Sequence, residues 1–111
     1  MTVYVDDMHA TEMGRYGRLK MSHMISDTEE ELHAMADRIG VARRWFQGDH
    51  YDIAMTKRAL AVQFGAVEVA MRDMALMSYD RRRDPKAPLL TPAAGRFKIA
   101  QAIATHVRTR K

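Results

Sequence analysis

The run from Gln47 to Asp52, QGDHYD, concentrates more reactive side-chain types than any other part of the chain. It falls between an apolar segment and an expected helix, and nothing in strand or helix formation calls for a histidine and a tyrosine there. An imidazole titrates near neutrality, so His50 could move a proton as a general acid or base. Asp52 is the second catalytic candidate, and Tyr51 between them is a candidate to touch a ligand. Asp6 and Asp7 end the short apolar run TVYV. Paired carboxylates of this kind could hold Mg²⁺ or Mn²⁺, with waters completing the octahedron. An ion so held polarises a phosphoryl oxygen or activates water. Lys57 and Arg58 offer positive charge for a phosphate, and Asp27, at the end of a second apolar run, joins the ligand-binding candidates.

Each of these residues also has an ordinary explanation. Asp27 and Asp52 stand where helix caps are needed. Asp6 and Asp7 end a strand, where turn chemistry favours aspartate. His23 falls in mid-strand and reads as a hydrogen-bonded structural histidine. His33 lies off the best apolar face of its helix, and His9 and His106 read as solvated. Trp45 and Phe46 lie in an expected strand, so one of them belongs to the core, and the other could stack on a base.

The elements that must position these groups follow from punctuation and periodicity. Thr2 to Val5 reads as a buried strand and Lys20 to Ser26 as a second, with a loop at residues 8–20 before it. Asp27 or Thr28 then caps a helix; either choice puts a glutamate three residues on, the capping-box spacing. Leu32, Met35, Ala36 and Ile39 form one apolar stripe, and Gly40 is the stop. Arg43 to Phe46 reads as a third strand. Asp52 caps a second helix from about Ile53 to Phe64, with Gly65 as its stop, and Ala66 to Ala70 reads as a fourth strand. Two successive strand–helix–strand units with short joints predict an α/β fold: a small, mainly parallel sheet with flanking helices. In such a sheet ligands bind beyond the C-terminal ends of the strands. If the first strand runs parallel to the others, the candidate residues share one rim.

Beyond this region, Arg72 to Tyr79 reads as a short helix and Asp80 to Leu90 as a linker stiffened by Pro85 and Pro88. Thr91-Pro92 is a cap followed by proline at the first helical position. The expected organisation is therefore an α/β domain over 1–79, a linker over 80–90, and a basic amphipathic C-terminal helix over 91–111. That helix would pack on the domain or on a partner.

Composition removes other chemistries. The 111 residues contain no cysteine, so there is no disulfide framework, thiolate metal site or cysteine nucleophile. No glycine-rich phosphate loop, HExxH helix or GxSxG elbow is present. No apolar run approaches membrane-spanning length, and Asp6 and Asp7 interrupt any signal-peptide pattern, so a cytoplasmic protein without a membrane partner is expected. Residues 80–111 carry nine Lys/Arg against two Asp, whereas residues 1–79 carry nine against twelve Asp/Glu. A basic tail of this kind can hold a polyanion.

The segments VYVDDM (3–8), SHMISDTEEELHAMADRIG (22–40), HYDI (50–53), KRALA (57–61) and GAVEV (65–69) resemble an uncharacterised bacterial and phage family, the domain-of-unknown-function family numbered four-zero-three-one. The resemblance implies no agreed activity, so function must be read from the residues. They predict binding of a phosphate-bearing ligand, a nucleotide or nucleic acid, at the rim of the sheet, with metal-assisted phosphodiester hydrolysis as its sharper form. The alternative is a non-catalytic phage or accessory factor, a homo-oligomer joined through the C-terminal helix, that sequesters a host component.

Overall fold

The computed structural model describes residues 2–17 and 19–109. Met1, Arg18, Arg110 and Lys111, which fall within the expected first domain and C-terminal segment, lie outside the described residues. The chain forms two compact units, Met1–Met71 and Arg72–Lys111.

The first unit is an α/β layer. Its strands are β1 (Val3–Val5), β2 (Arg15–Tyr16), β3 (Leu19–Ser26), β4 (Tyr51–Ala54) and β5 (Val67–Glu68), with helices α1 (Glu29–Ile39) and α2 (Met55–Gln63). The long strand β3 is the hub. It pairs with β1, β2 and β4, each time antiparallel, and β5 lies parallel beside β1. The sheet is therefore mixed and mostly antiparallel, which corrects the expected mainly parallel arrangement. Two local features account for the difference. Between β1 and β3 there are only two single 3-10 turns, Met8–Ala10 and Glu12–Gly14, and the short β2. A parallel crossover usually runs through a full helix, and the described residues of this connection form none. Before β4, the segment expected as a third strand is instead a 3-10 turn, Arg43–Trp45, and touches the sheet only where Phe46 bridges Tyr51. A hairpin then reverses the chain, so β4 enters antiparallel to β3.

The helix signals lie close to the observed helix ends. Thr28, rather than Asp27, caps α1, accepting the Glu31 N–H at 3.2 Å. The helix ends at Gly40 in the left-handed conformation, as its stop signal predicts. Leu32, Met35, Ala36 and Ile39 pack against Val3, Val5, Met24, Tyr51 and Ile53 to make the core. At about 1.5–3 kcal/mol for each fully buried large side chain, this layer is what holds the sheet to α1. The second expected helix begins later than its aspartate signal suggested. Asp52 is not its cap, because Tyr51 and Ile53 alternate inward as strand residues and the helix starts after Ala54.

The second unit contains α3 (Met71–Met77, its first residue shared with the boundary) and α4 (Pro92–Thr109). Thr91 caps α4 through the Ala94 N–H, as the Thr-Pro signal requires. Gly95 lies against the Leu76 carbonyl. Arg81 is buried and its Nε donates to the Ala87 carbonyl at 2.8 Å. Lys98 pairs with Asp80 at 2.5 Å. No helix among the described residues is long and apolar enough to cross a membrane.

Candidate metal centre

Strand parity decides which side chains meet. Val5, Met24 and Tyr51 point into the core, so their successors or predecessors Asp6, His23 and Asp52 point to the other face of the sheet. Register lines them up. His23 of β3 stands opposite Asp52 of β4, and the Asp6 N–H donates to the His23 carbonyl at 3.1 Å. The three form a row across three strands. His50 precedes Asp52 by two residues and so shares its face. It leaves a two-residue hairpin turn in which the Gln47 N–H donates to the His50 carbonyl at 2.9 Å. Gly48, at φ 91°, occupies the first turn position, where a positive φ is needed.

Each imidazole is oriented by its own carboxylate. Asp6 is fully buried; its Oδ1 accepts the backbone N–H groups of Met8 and His23, and its Oδ2 lies 2.6 Å from His23 Nδ1. An ionised carboxylate only accepts, so Nδ1 carries a proton, and in the neutral ring Nε2 presents a lone pair. His50 Nδ1 lies 2.5 Å from Asp49 Oδ1 in the same relation. The two Nε2 atoms converge on one oxygen, Asp52 Oδ1, at 3.8 Å from His23 and 3.4 Å from His50. The rings meet edge to face with centroids 5.1 Å apart. Gln47 Nε2 donates to the other Asp52 oxygen at 2.8 Å.

Asp52 Oδ1 is itself buried without a hydrogen-bond partner. A buried carboxylate oxygen left in this state is costly. The charges act on one another across these distances. The Asp52 carboxylate is the largest influence raising the His50 pKa, with burial opposing it and Asp49 assisting. Reciprocally, His50 is the largest influence lowering the Asp52 pKa, with burial opposing and Gln47 assisting.

Two imidazole nitrogens and one carboxylate oxygen lie within 4.8 Å of one another. Ligand atoms bound at 2.0–2.2 Å in a tetrahedron stand about 3.3–3.6 Å apart, so the 3.8 and 3.4 Å spacings from the two Nε2 atoms to Asp52 Oδ1 approach that of a loaded site. Carboxylates on the outer nitrogens are the usual support for metal-bound histidines. An N₂O set suits Zn²⁺, Mn²⁺ or Fe²⁺ better than Mg²⁺, which prefers oxygen alone.

A cleft of about 550 Å³ adjoins the row. Asp52 and Gln47 line it, together with Lys57 and Arg44 and the rings of Trp45 and Tyr16.

The structure distributes the sequence candidates unevenly. His50 and Asp52 come together. Asp6 reaches the cluster through His23, not as a free carboxylate. Asp7 does not join it; its side chain is exposed and accepts the Met71 N–H at 2.7 Å. Asp27 accepts the Thr2 N–H at 2.8 Å, among residues at the far end of β3. Tyr51 lies on the core face, fully buried, with its hydroxyl 2.6 Å from His33 Nδ1; burial is the largest cause of its raised pKa. Arg58 donates to the Asp6 carbonyl and pairs with Glu68, both at 2.8 Å. Lys57 lines the cleft and has no ion pair among the described residues. The residue that sequence reasoning passed over is His23. Its signal was parity: Met21, His23 and Ile25 share a face, and a histidine there must meet whatever the neighbouring strands present.

Residues 3–81 match the family model described as a protein of unknown function, DUF4031. No curated protein and no solved structure matches the chain.

Proposed function

Because this chain belongs to the DUF4031 family, whose description assigns no activity, we propose its function from the site itself: a divalent-metal-dependent hydrolase of phosphodiesters in a nucleotide or nucleic acid. The observation that carries this reading is the convergence of His23 Nε2, His50 Nε2 and Asp52 Oδ1, the last of them buried and unpartnered. A bound Mn²⁺ or Zn²⁺ would supply Lewis acidity and a water of lowered pKa. The chain's own residues do the rest. Asp6 and Asp49 hold the imidazoles in the tautomer that leaves Nε2 unprotonated. Gln47 fixes the Asp52 carboxylate. Lys57 and Arg44 supply positive charge for the phosphate in the adjoining cleft. Water is added across one P–O bond, leaving a phosphate on one product and a hydroxyl on the other. His50 acts here as a ligand, since its outer nitrogen is engaged by Asp49.

Calorimetry on the metal-free protein tests the reading, followed by a turnover assay with bis(4-nitrophenyl) phosphate. One high-affinity site for Mn²⁺ or Zn²⁺ is expected, lost in His23→Ala and His50→Ala along with turnover. An absence of heat with Mn²⁺, Zn²⁺ and Fe²⁺ would rule the mechanism out.

A second reading, a self-associating interaction protein, has one observation in its favour. Phe97, Ile103 and Val107 of α4 are 63, 59 and 61% exposed. Sedimentation of the whole chain tests it: a monomer at all concentrations removes it.

A further inference from the structure

Trp45 is the only tryptophan of the chain and is 57% exposed. Burying such a ring is ordinarily worth several kcal/mol, yet the fold turns it outward. Phe46 beside it packs inward, near Tyr51 and His33. The Arg43–Trp45 turn therefore separates two adjacent aromatics, one for the core and one for the cleft. Arg44 stands 5.3 Å from the Trp45 ring. Tyr16, on the β2–β3 hairpin, also lines the cleft and is 74% exposed.

The charges in the cleft are equally uneven. Arg15, Arg44 and Lys57 line it. Among the described residues Arg44 and Lys57 have no carboxylate partner, and the contact of Arg15 with Glu12, at 3.7 Å, is solvent-exposed. Lys57 Nζ lies close to Gly40, at the end of α1. Among the described residues the only acid lining the cleft is Asp52, which already faces the two imidazoles. The cleft thus offers flat aromatic faces and unneutralised cations beside the metal-ligand row, with Asp52 as their shared wall.

We infer that this cleft binds a single-stranded nucleic acid, with unpaired bases stacked on Trp45 and Tyr16 and the backbone phosphates on Arg44 and Lys57. The inference deepens the proposed function and rests on it for the chemistry at the metal. Aromatic stacking with a cationic track is how strands without secondary structure are held. Bases within a duplex are stacked on one another and cannot lie on a protein ring. Two aromatic faces and three cations exceed what one mononucleotide uses, which favours a strand. The volume suits a ligand site.

The test needs no metal. A fluorescein-labelled oligothymidylate of about ten nucleotides, within the range of single-strand site sizes, is titrated with the whole chain in chelator and followed by anisotropy. Trp45 fluorescence is followed in parallel with unlabelled strand. Binding with quenching of Trp45 is expected, together with a tenfold or greater loss in Trp45→Ala and substantial recovery in Trp45→Phe. Lys57→Ala should flatten the log–log salt slope by about 0.7, the value for one phosphate contact on a single strand. Strand binding without metal heat in the wild type would uphold the cleft and overturn the hydrolase. The inference falls if duplex binds as tightly as the strand, or if Trp45→Ala binds like wild type. It falls too if thymidine monophosphate competes as well as the strand. A Trp45 signal that tracks protein concentration alone would assign the face to a second copy of the chain and overturn it as well.

Discussion

At the scale of single residues, the buried carboxylate of Asp6 has the most exacting task. It accepts three hydrogen bonds, two from backbone N–H groups and one from His23 Nδ1. Asparagine keeps the shape but must aim an NH₂ at one of those donors. Turned toward His23, it forces Nδ1 to accept and moves the ring proton to Nε2, removing the lone pair a metal would use. Asp6→Asn is thus expected to lower metal affinity about 10–100-fold, the usual scale for a supporting carboxylate, and to destabilise the fold. Nitrogen chemical shifts of His23 check the tautomer; an unchanged tautomer with unchanged affinity would refute the assignment. The His50–Asp52 pair gives a second expectation, for the metal-free protein. The His50 pKa is raised above its ordinary 6.5, so its stabilisation is complete below 6.5 and is lost as pH rises through the folded value. The Asp52 pKa is lowered below 3.8, so its stabilisation is complete above 3.8 and is lost as pH falls through the folded value. Thermal melts in chelator should show the largest advantage of wild type over Asp52→Asn between these two limits. An advantage that keeps growing above neutrality would contradict the pairing.

At the scale of elements, the site depends on how tightly the segment before β2 lies on β3. Gly14 is buried there, and a Cβ at this position would stand 2.1 Å from the Met8 carbonyl oxygen and 2.7 Å from that of Met21. Both obstacles are backbone, so neither can swing aside. Gly14→Ala should push the turn off the strand and cost on the order of 1–3 kcal/mol, the range for overpacking. Because Gly14 and Met21 also line the cleft, strand binding should weaken with it. Denaturant melts and the anisotropy titration would read the two effects; a neutral substitution would mean the approach is looser than described. Capping was legible at this scale because a cap involves residues only three or four apart. Thr91 with Pro92 could be read directly from the chain, and the cap of α1 was narrowed to Asp27 or Thr28, between which the structure chose Thr28. The Asp52 signal misled for the opposite reason: an aspartate before an apolar run is a cap locally, but Tyr51 and Ile53 gain more by pairing with β3 and burying themselves.

For the molecule as a whole, a ligand that binds only the folded state stabilises it by mass action, by about 2.7 kcal/mol at a hundred times its dissociation constant. Saturating Mn²⁺ or Zn²⁺ should raise the melting temperature and slow amide exchange in β1, β3 and β4, with chelator reversing both and His23→Ala abolishing both. Equal shifts in that variant would place the ion elsewhere. The ligand-bearing strands come from distant parts of the chain, and this divides what the sequence could determine from what it could not. Local patterns were sufficient for the existence of α1, α2 and α4, for the apolar stripe of Leu32, Met35, Ala36 and Ile39, and for marking His50 and Asp52 as candidate residues. They were also sufficient for the absence of thiol chemistry. Strand partner and direction are set by long-range pairing, which no window of neighbouring residues contains. The hub position of β3, the return of β4 antiparallel to it, and the meeting of Asp6, His23, His50 and Asp52 were therefore decided only in the tertiary structure. Side chains alternate along a strand with a period of two, so a slip of one residue in β3 would turn His23 to the opposite face and dissolve the site.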